Sequence, residues 1–170
     1  MYPSEHFIVA FLPVLAYVVV RDRRRPAARF VGVVFVGSQF PDLIDKPLAH
    51  QFGLLPSGRV FMHSLPVALP VAFVVASYGW KTDRIRPSVA FVFAYLLHLL
   101  ADNYRRLLRP NPEISPDLLW PFVDPVPRSA VPHWAGTEGI NVLLWTLFSV
   151  VLLGVVLSVM LADIRRHIGR

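Results

Sequence analysis

Histidines and aspartates lie at the ends of the apolar segments of this sequence. His98 and Asp102 are four residues apart, so on a helix they share one face, a spacing often found among metal ligands. Asp42 and Asp45 belong to the stretch PDLID, which we interpret as a turn that follows a short helix and presents two carboxylates. The candidate metal ligands are all histidine or aspartate: His6, Asp42, Asp45, His63, His98 and Asp102.

Such a cluster predicts a divalent metal site. Imidazole and carboxylate donors suit Zn²⁺ best, with Mn, Fe and Mg as alternatives. The chain has no cysteine, which excludes thiolate zinc sites, iron–sulfur clusters and cysteine nucleophiles. More than four ligands would suit two ions, and a single ion would lower the pKa of a bound water to about 7. Both arrangements favour hydrolysis, and no nucleophile elbow, phosphate-binding loop or dinucleotide fingerprint occurs.

Five apolar segments must position these residues. A mean hydropathy of +0.52, with 55% hydrophobic and 16% charged residues, excludes an ordinary soluble enzyme and indicates an integral membrane protein. The longest segment, Ile140–Ala162, has 23 residues without a charge, enough to cross a hydrocarbon core of ~30 Å. The other four are shorter: Phe7–Val20, Phe30–Phe40, Leu65–Trp80 and Ser88–Ala101. The sequence predicts one all-α, polytopic membrane domain over 1–170, with about five helices and an irregular, proline-rich cap.

Basic loops predict how the chain is oriented in the bilayer. Three stretches hold 11 of the 17 Lys and Arg residues: Arg21–Arg29, Lys81–Arg86 and Ile164–Arg170. They fall on one side if all five segments cross, and the positive-inside rule places that side in the cytoplasm. The histidines and aspartates then meet at the non-cytoplasmic face. The basic loops account for the pI of about 10.3, so we expect the lipid bilayer as partner and no nucleic acid.

Several motifs follow one another in a recognisable order. After His6 come PDLID up to Asp45, GRVFMHS over 58–64, HLLAD over 98–102 and LLWPF over 118–122. This series resembles the YdjM-like family of small inner-membrane proteins, described as membrane-bound metal-dependent hydrolases. The resemblance covers about 6–122, and the final span lies outside it. It implies that the six candidate ligands form one site, although the family pattern H-R-G-x-T-H-S has lost its first His and its Thr here.

Together these observations predict hydrolysis of a phosphoester or a lipid-linked substrate at the membrane surface. Asp45 would be a further ligand or a general base, and Glu138, just before the last span, a second base. Arg105 and Arg106 lie at i+3 and i+4 from Asp102, so at least one can point to the metal side and bind phosphate. The candidate substrate-binding residues are three arginines: Arg59, Arg105 and Arg106.

Two other classes of protein are compatible with the cluster. A non-enzymatic membrane protein could use the same residues as a structural metal site or a hydrogen-bond network between short helices. An open coordination position would distinguish an enzyme from that alternative. An ion or proton transporter also places Asp and His within the membrane. Clustering at one face, rather than at the midplane, argues against transport.

Overall fold

The computed structural model describes residues 3–126 and 140–168. These residues form five α-helices and no strand, which confirms the predicted all-α fold. The helices in chain order are α1 (Pro3–Asp22), α2 (Ala28–Lys46), α3 (Leu65–Lys81), α4 (Ile85–Leu107) and α5 (Ile140–Ile168). A short π-helix, Pro47–Gln51, directly extends α2, and a 3-10 turn, Pro116–Leu119, lies in the proline-rich cap.

Three of the described helices are long and apolar enough to cross a membrane. They are α1, α4 and the part of α5 over Asn141–Arg166, and α3 is apolar but shorter. The helices exceed the apolar runs of the sequence because helical hydrogen bonding continues through their polar ends. α4, for example, includes Asp102 to Leu107 beyond its apolar run.

Helix α4 lies at the centre of the fold and packs against α1, α2 and α3. Small residues permit this close packing: a Cβ atom on Gly37 of α2 would lie 2.6 Å from the carbonyl oxygen of Phe91 in α4. Between α1, α2 and α4 the core contains Ala10, Val34 and Ala94, each fully buried. Helix α5 contacts α2 and the π-helix instead. Helices α1, α2 and α4 therefore pack pairwise against one another.

The two basic loops between helices lie at the same end of the bundle. Arg86, at the start of α4, places Nη1 3.5 Å from Oδ2 of Asp22, at the end of α1. This contact agrees with the predicted placement of Arg21–Arg29 and Lys81–Arg86 on one side. The six candidate ligands lie at the opposite end of the helices.

The PDLID stretch is helical, which corrects our expectation of a turn. Helix α2 continues through Pro41 to Lys46, so Asp42 and Asp45 lie within its last turns. Proline inside a helix removes one backbone hydrogen bond and costs about 3 kcal/mol. Contacts of the two aspartates with Lys46 and with the backbone of Met62 oppose that cost.

Candidate metal centre

Four elements contribute side chains to one buried cluster. Helix α1 provides His6, α2 provides Asp42, the loop before α3 provides His63, and α4 provides His98 and Asp102. Each of the five side chains is at most 4% exposed. Ionisable groups are costly to bury unless they are paired or bind a metal ion. Because these side chains come from distant parts of the chain and are buried together, they must pair with one another or bind a metal ion.

The separations between the ligand atoms are those of a metal-binding set. Nε2 of His63 lies 3.2 Å from Nε2 of His98. Oδ1 of Asp42 is 3.6 Å and 4.0 Å from these two nitrogens, and Oδ2 of Asp102 is 3.5 Å and 3.8 Å from them. Ligands of a tetrahedral Zn²⁺ with bonds of ~2.0–2.1 Å lie about 3.4 Å apart. The donor set thus fits a small divalent cation.

His6 extends the cluster on the side of Asp102. Its Nε2 is 3.3 Å from Oδ1 of Asp102, and its ring stacks on His98 with centroids 3.8 Å apart. Two overlapping groups of three ligands result, His6–His98–Asp102 and Asp42–His63–His98, each with all ligand atoms within 4.8 Å. Nδ1 of His6 and Oδ1 of Asp42 are buried without a hydrogen-bond partner. Coordination to a cation would satisfy such atoms.

Hydrogen bonds behind two of the histidines fix how their rings point. Nδ1 of His98 donates to the carbonyl oxygen of Ser38 at 2.6 Å. Nδ1 of His63 lies 2.8 Å from Oδ2 of Asp45, the contact of a histidine held by a carboxylate. A proton on each Nδ1 leaves each Nε2 with a lone pair directed into the cluster, as in the histidine ligands of known metal sites.

Asp45 lies behind His63 and uses both of its carboxylate oxygens there. Its Oδ1 accepts a hydrogen bond from the backbone N–H of Met62 at 2.8 Å, and its Oδ2 contacts His63. The Tyr95 hydroxyl donates to the carbonyl oxygen of Met62, so α4 also holds this loop. Sequence reasoning missed Tyr95, although it lies one helical turn before His98 on the same face. The sequence does not indicate Ser38 either, because Ser38 contacts His98 through its backbone carbonyl oxygen, which every residue type has.

Two cations adjoin the carboxylates of the cluster. Nζ of Lys46 lies 2.6 Å from Oδ2 of Asp42 and 5.2 Å from the centre of the Trp145 ring. Nε of Arg59, which the sequence predicts as a substrate-binding residue, lies 3.1 Å from Oδ2 of Asp102. Lys46 is not among the residues predicted from the sequence. Its position four residues after Asp42 is a signal only on a helix, and the sequence favours a turn there.

Of the other predicted polar residues, Arg105 contacts its neighbour in the chain. Arg105 is exposed, its Nε donates to the Tyr104 hydroxyl at 3.0 Å, and its guanidinium lies 5.7 Å from the centre of that ring. Its contacts are thus with its neighbour in the chain and not with the carboxylates. Arg106 is half-buried in the last turn of α4. Glu138 lies outside the described residues.

The electrostatics of the loop histidine show that the cluster attracts positive charge. Burial by itself lowers the pKa of His63, but the carboxylates of Asp102 and Asp45 beside its ring nitrogens outweigh burial and raise that pKa to about 9. Three carboxylates around one imidazole thus favour a cation at this position, a proton or a metal ion.

Comparison with known proteins gives the family. The family model described as YdjM inner membrane protein matches residues 1–166. The chain therefore belongs to this family, which confirms the resemblance seen in the motifs and extends it over the final span. Neither the curated proteins nor the solved structures contained a match.

Proposed function

We propose that this member of the YdjM inner membrane protein family is a membrane-bound, metal-dependent hydrolase. Its substrate would be a phosphoester, carried by a lipid. One observation carries the proposal: Nε2 of His63 and of His98 converge with the carboxylates of Asp42 and Asp102 in a buried cluster. His6 is the fifth ligand. The mixed nitrogen and oxygen donors favour Zn²⁺, with Mn, Fe and Mg as alternatives.

A bound divalent ion would polarise a phosphoryl oxygen and activate water. The residues of the chain have separate tasks around it. Asp45 orients His63 through Nδ1, a role that replaces the ligand or base role predicted from the sequence. Arg59, beside Asp102 and one-third exposed, binds the anionic group of the substrate. Glu138 and Arg106 keep their predicted roles as base and phosphate-binding residue, and Arg105 is not retained.

The depth of the cluster along the helices supports a lipid-linked substrate. At ~1.5 Å per residue, the rise along α4 from Ile85 is about 20 Å to His98 and about 25 Å to Asp102. In a hydrocarbon core of ~30 Å, the cluster then lies just inside the boundary opposite the basic loops. Exposed apolar side chains outside the helices, Phe52 and Phe122 among them, suit the same interface. A lipid headgroup would reach the cluster without leaving the bilayer.

The orientation is tested with single cysteines, since the chain has none of its own. Arg24 and Asn111 are both exposed, Arg24 in the basic loop after α1 and Asn111 beyond the end of α4. With the cluster on the non-cytoplasmic side, an impermeant maleimide added to intact spheroplasts should label Asn111→Cys and spare Arg24→Cys. The reverse labelling would place the cluster on the cytoplasmic side.

Activity is tested on purified protein in phosphatidylcholine nanodiscs, loaded with Zn²⁺ or Mn²⁺. Hydrolysis of soluble phosphoesters and phospholipids is measured by release of phosphate or of the headgroup. We expect turnover that disappears in His63→Ala. His50→Ala is the matched control, because His50 is a half-buried histidine outside both groups of ligands. Equal activity of the two variants would refute the proposal.

A structural metal site is the second candidate, favoured by the burial of the ligands and by their origin in four elements. Cobalt substitution separates the two. In a hydrolase the Co²⁺ visible spectrum should change when phosphate is added, because an open position accepts the anion. A spectrum that stays unchanged at saturating phosphate would favour the structural role.

A further inference from the structure

Each of the two aspartates proposed as metal ligands also contacts a cation. Lys46 contacts Oδ2 of Asp42, whose other oxygen, Oδ1, faces the histidines. Arg59 contacts Oδ2 of Asp102, the oxygen that also lies 3.5 Å from Nε2 of His63. The two cations come from different elements, α2 and the loop before α3. Two separate elements thus each place a cation against one of these carboxylates.

Exposure increases from the ligands to the cations. The five ligand side chains are at most 4% exposed, whereas Lys46 is 12% and Arg59 is 34% exposed. An anion that approaches the cluster along these side chains therefore meets an ammonium and a guanidinium before it meets a carboxylate. Trp145 of α5 holds Lys46 in place through its ring and donates its indole N–H to the carbonyl oxygen of Asp42 at 3.1 Å.

The formal charges of the loaded cluster favour an anionic ligand. Asp42, Asp45 and Asp102 contribute three negative charges, and Lys46 and Arg59 contribute two positive ones. A divalent ion held by neutral histidines adds two more, so the loaded cluster has one positive charge in excess. Uncompensated charge is costly in a buried site, and an anionic ligand removes that cost. Without the two cations the excess would be one negative charge, and anions would be repelled.

We infer that Lys46 and Arg59 form an anion clamp that binds the phosphoryl group of the substrate, an inference that rests on the proposed metal centre. Guanidinium and ammonium groups both bind phosphate, the first through paired N–H donors and the second as a point charge. The ligand is a phosphate ester with free phosphoryl oxygens. A phosphomonoester lipid headgroup and a soluble phosphate share this chemistry.

The test measures binding and does not depend on turnover. Inorganic phosphate is titrated calorimetrically into Zn²⁺-loaded protein in phosphatidylcholine nanodiscs. Lys46→Gln and Arg59→Gln should each weaken phosphate binding about 10-fold or more, the loss expected for one charge-assisted hydrogen bond. Lys46→Arg should restore it. Arg109→Gln is the matched control, because it removes an exposed positive charge just beyond the end of α4 and should leave phosphate binding unchanged.

Zinc content, measured on the same samples, distinguishes the clamp from a merely structural pair. In the clamp, Lys46→Gln keeps its zinc while phosphate binding falls. Parallel loss of zinc and phosphate would mean that Lys46 only orients Asp42, and unchanged phosphate affinity would mean that it binds no anion. Either result overturns the inference.

Two further measurements are needed. One identifies the source of the anion, and the other distinguishes failure of the clamp from failure of the proposed function. If the ligand is a lipid headgroup, nanodiscs that include phosphatidic acid should compete with inorganic phosphate, and pure phosphatidylcholine should not. Lys46-dependent phosphate binding without hydrolysis of any substrate would support the clamp and refute the hydrolase. Hydrolysis with phosphate binding that is indifferent to Lys46 would refute the clamp alone.

Discussion

The two ends of the helical bundle differ in whether their charged groups are exposed to water or buried. At the basic end, Arg86 is 69% exposed and approaches Asp22 only to 3.5 Å, so water solvates both groups. At the other end, the ligand side chains are at most 4% exposed and approach one another within 3.2–4.0 Å. Exposed pairs contribute little to stability, whereas a buried charge must be neutralised by its neighbours or by a cation.

The position of a polar residue at the end of an apolar run does not by itself reveal whether the residue belongs to a site. A histidine or aspartate at the end of an apolar run can simply mark where a helix reaches water, as Asp22 does at the basic end. Burial separates the two cases, because water cannot satisfy His98 or Asp42 where they lie. Burial therefore distinguishes the clustered helix-end residues from those that only mark the end of a helix.

The largest expected effect comes from breaking the buried end. Ala substitution of His63, His98 or Asp102 should each lower metal affinity more than about 100-fold, because each removes a ligand of a single site. Bound Zn²⁺ is measured by elemental analysis of protein purified in detergent. The double variant of His63 and His98 should lose hardly more than either single variant, as expected for residues that act as a unit. Full retention of metal by His98→Ala would contradict a shared site.

A smaller effect is expected from the group behind the ligands. Asp45→Asn keeps the shape of the side chain but weakens the contact that orients His63, so metal affinity should fall about 10- to 100-fold. Competition with a chromophoric zinc chelator gives the affinity. Asp42→Asn, which alters a ligand atom, should lose more. If Asp45→Asn loses as much as Asp42→Asn, then Asp45 is itself a ligand, as the sequence predicts.

The sequence predicts the helices and most of the cluster, for reasons that differ between residues. Apolar length decides where a membrane helix lies, and the four-residue spacing of His98 and Asp102 decides that they share a face. Tertiary contacts determine where the remaining residues of the cluster and its surroundings lie. Lys46 and Asp45 depend on a helix that continues through Pro41, which proline chemistry alone argues against. Arg105 lies at the predicted spacing from Asp102, but its guanidinium contacts the neighbouring Tyr104 ring instead.

Packing supplies a third way to test the difference between the ends. Gly37→Ala would place a methyl group 2.6 Å from the Phe91 carbonyl oxygen, so α2 and α4 would have to separate. We expect a loss of about 1–3 kcal/mol in the free energy of unfolding, together with weaker metal binding. Gly32, in the same helix toward the basic end, has space for a Cβ atom, with no neighbouring atom within 4 Å of it. Gly32→Ala should be neutral or stabilise by up to about 1 kcal/mol, and thermal unfolding in detergent compares the two.

The smallest effect is expected at the basic end itself. Arg86→Gln removes the ion pair with Asp22 but leaves both positions in water. An exposed pair contributes about 0–1 kcal/mol, and salt screens much of that, so the unfolding temperature should change little at any ionic strength. Metal affinity should stay within about 2-fold of that of the unmodified protein, because at ~1.5 Å per residue the cluster lies about 20 Å away along α4. Unfolding scans at low and high salt, with zinc content on the same samples, check both expectations. A loss of metal in Arg86→Gln would mean that the two ends are coupled through α4. The solvated basic end and the buried cluster would then not be independent of each other.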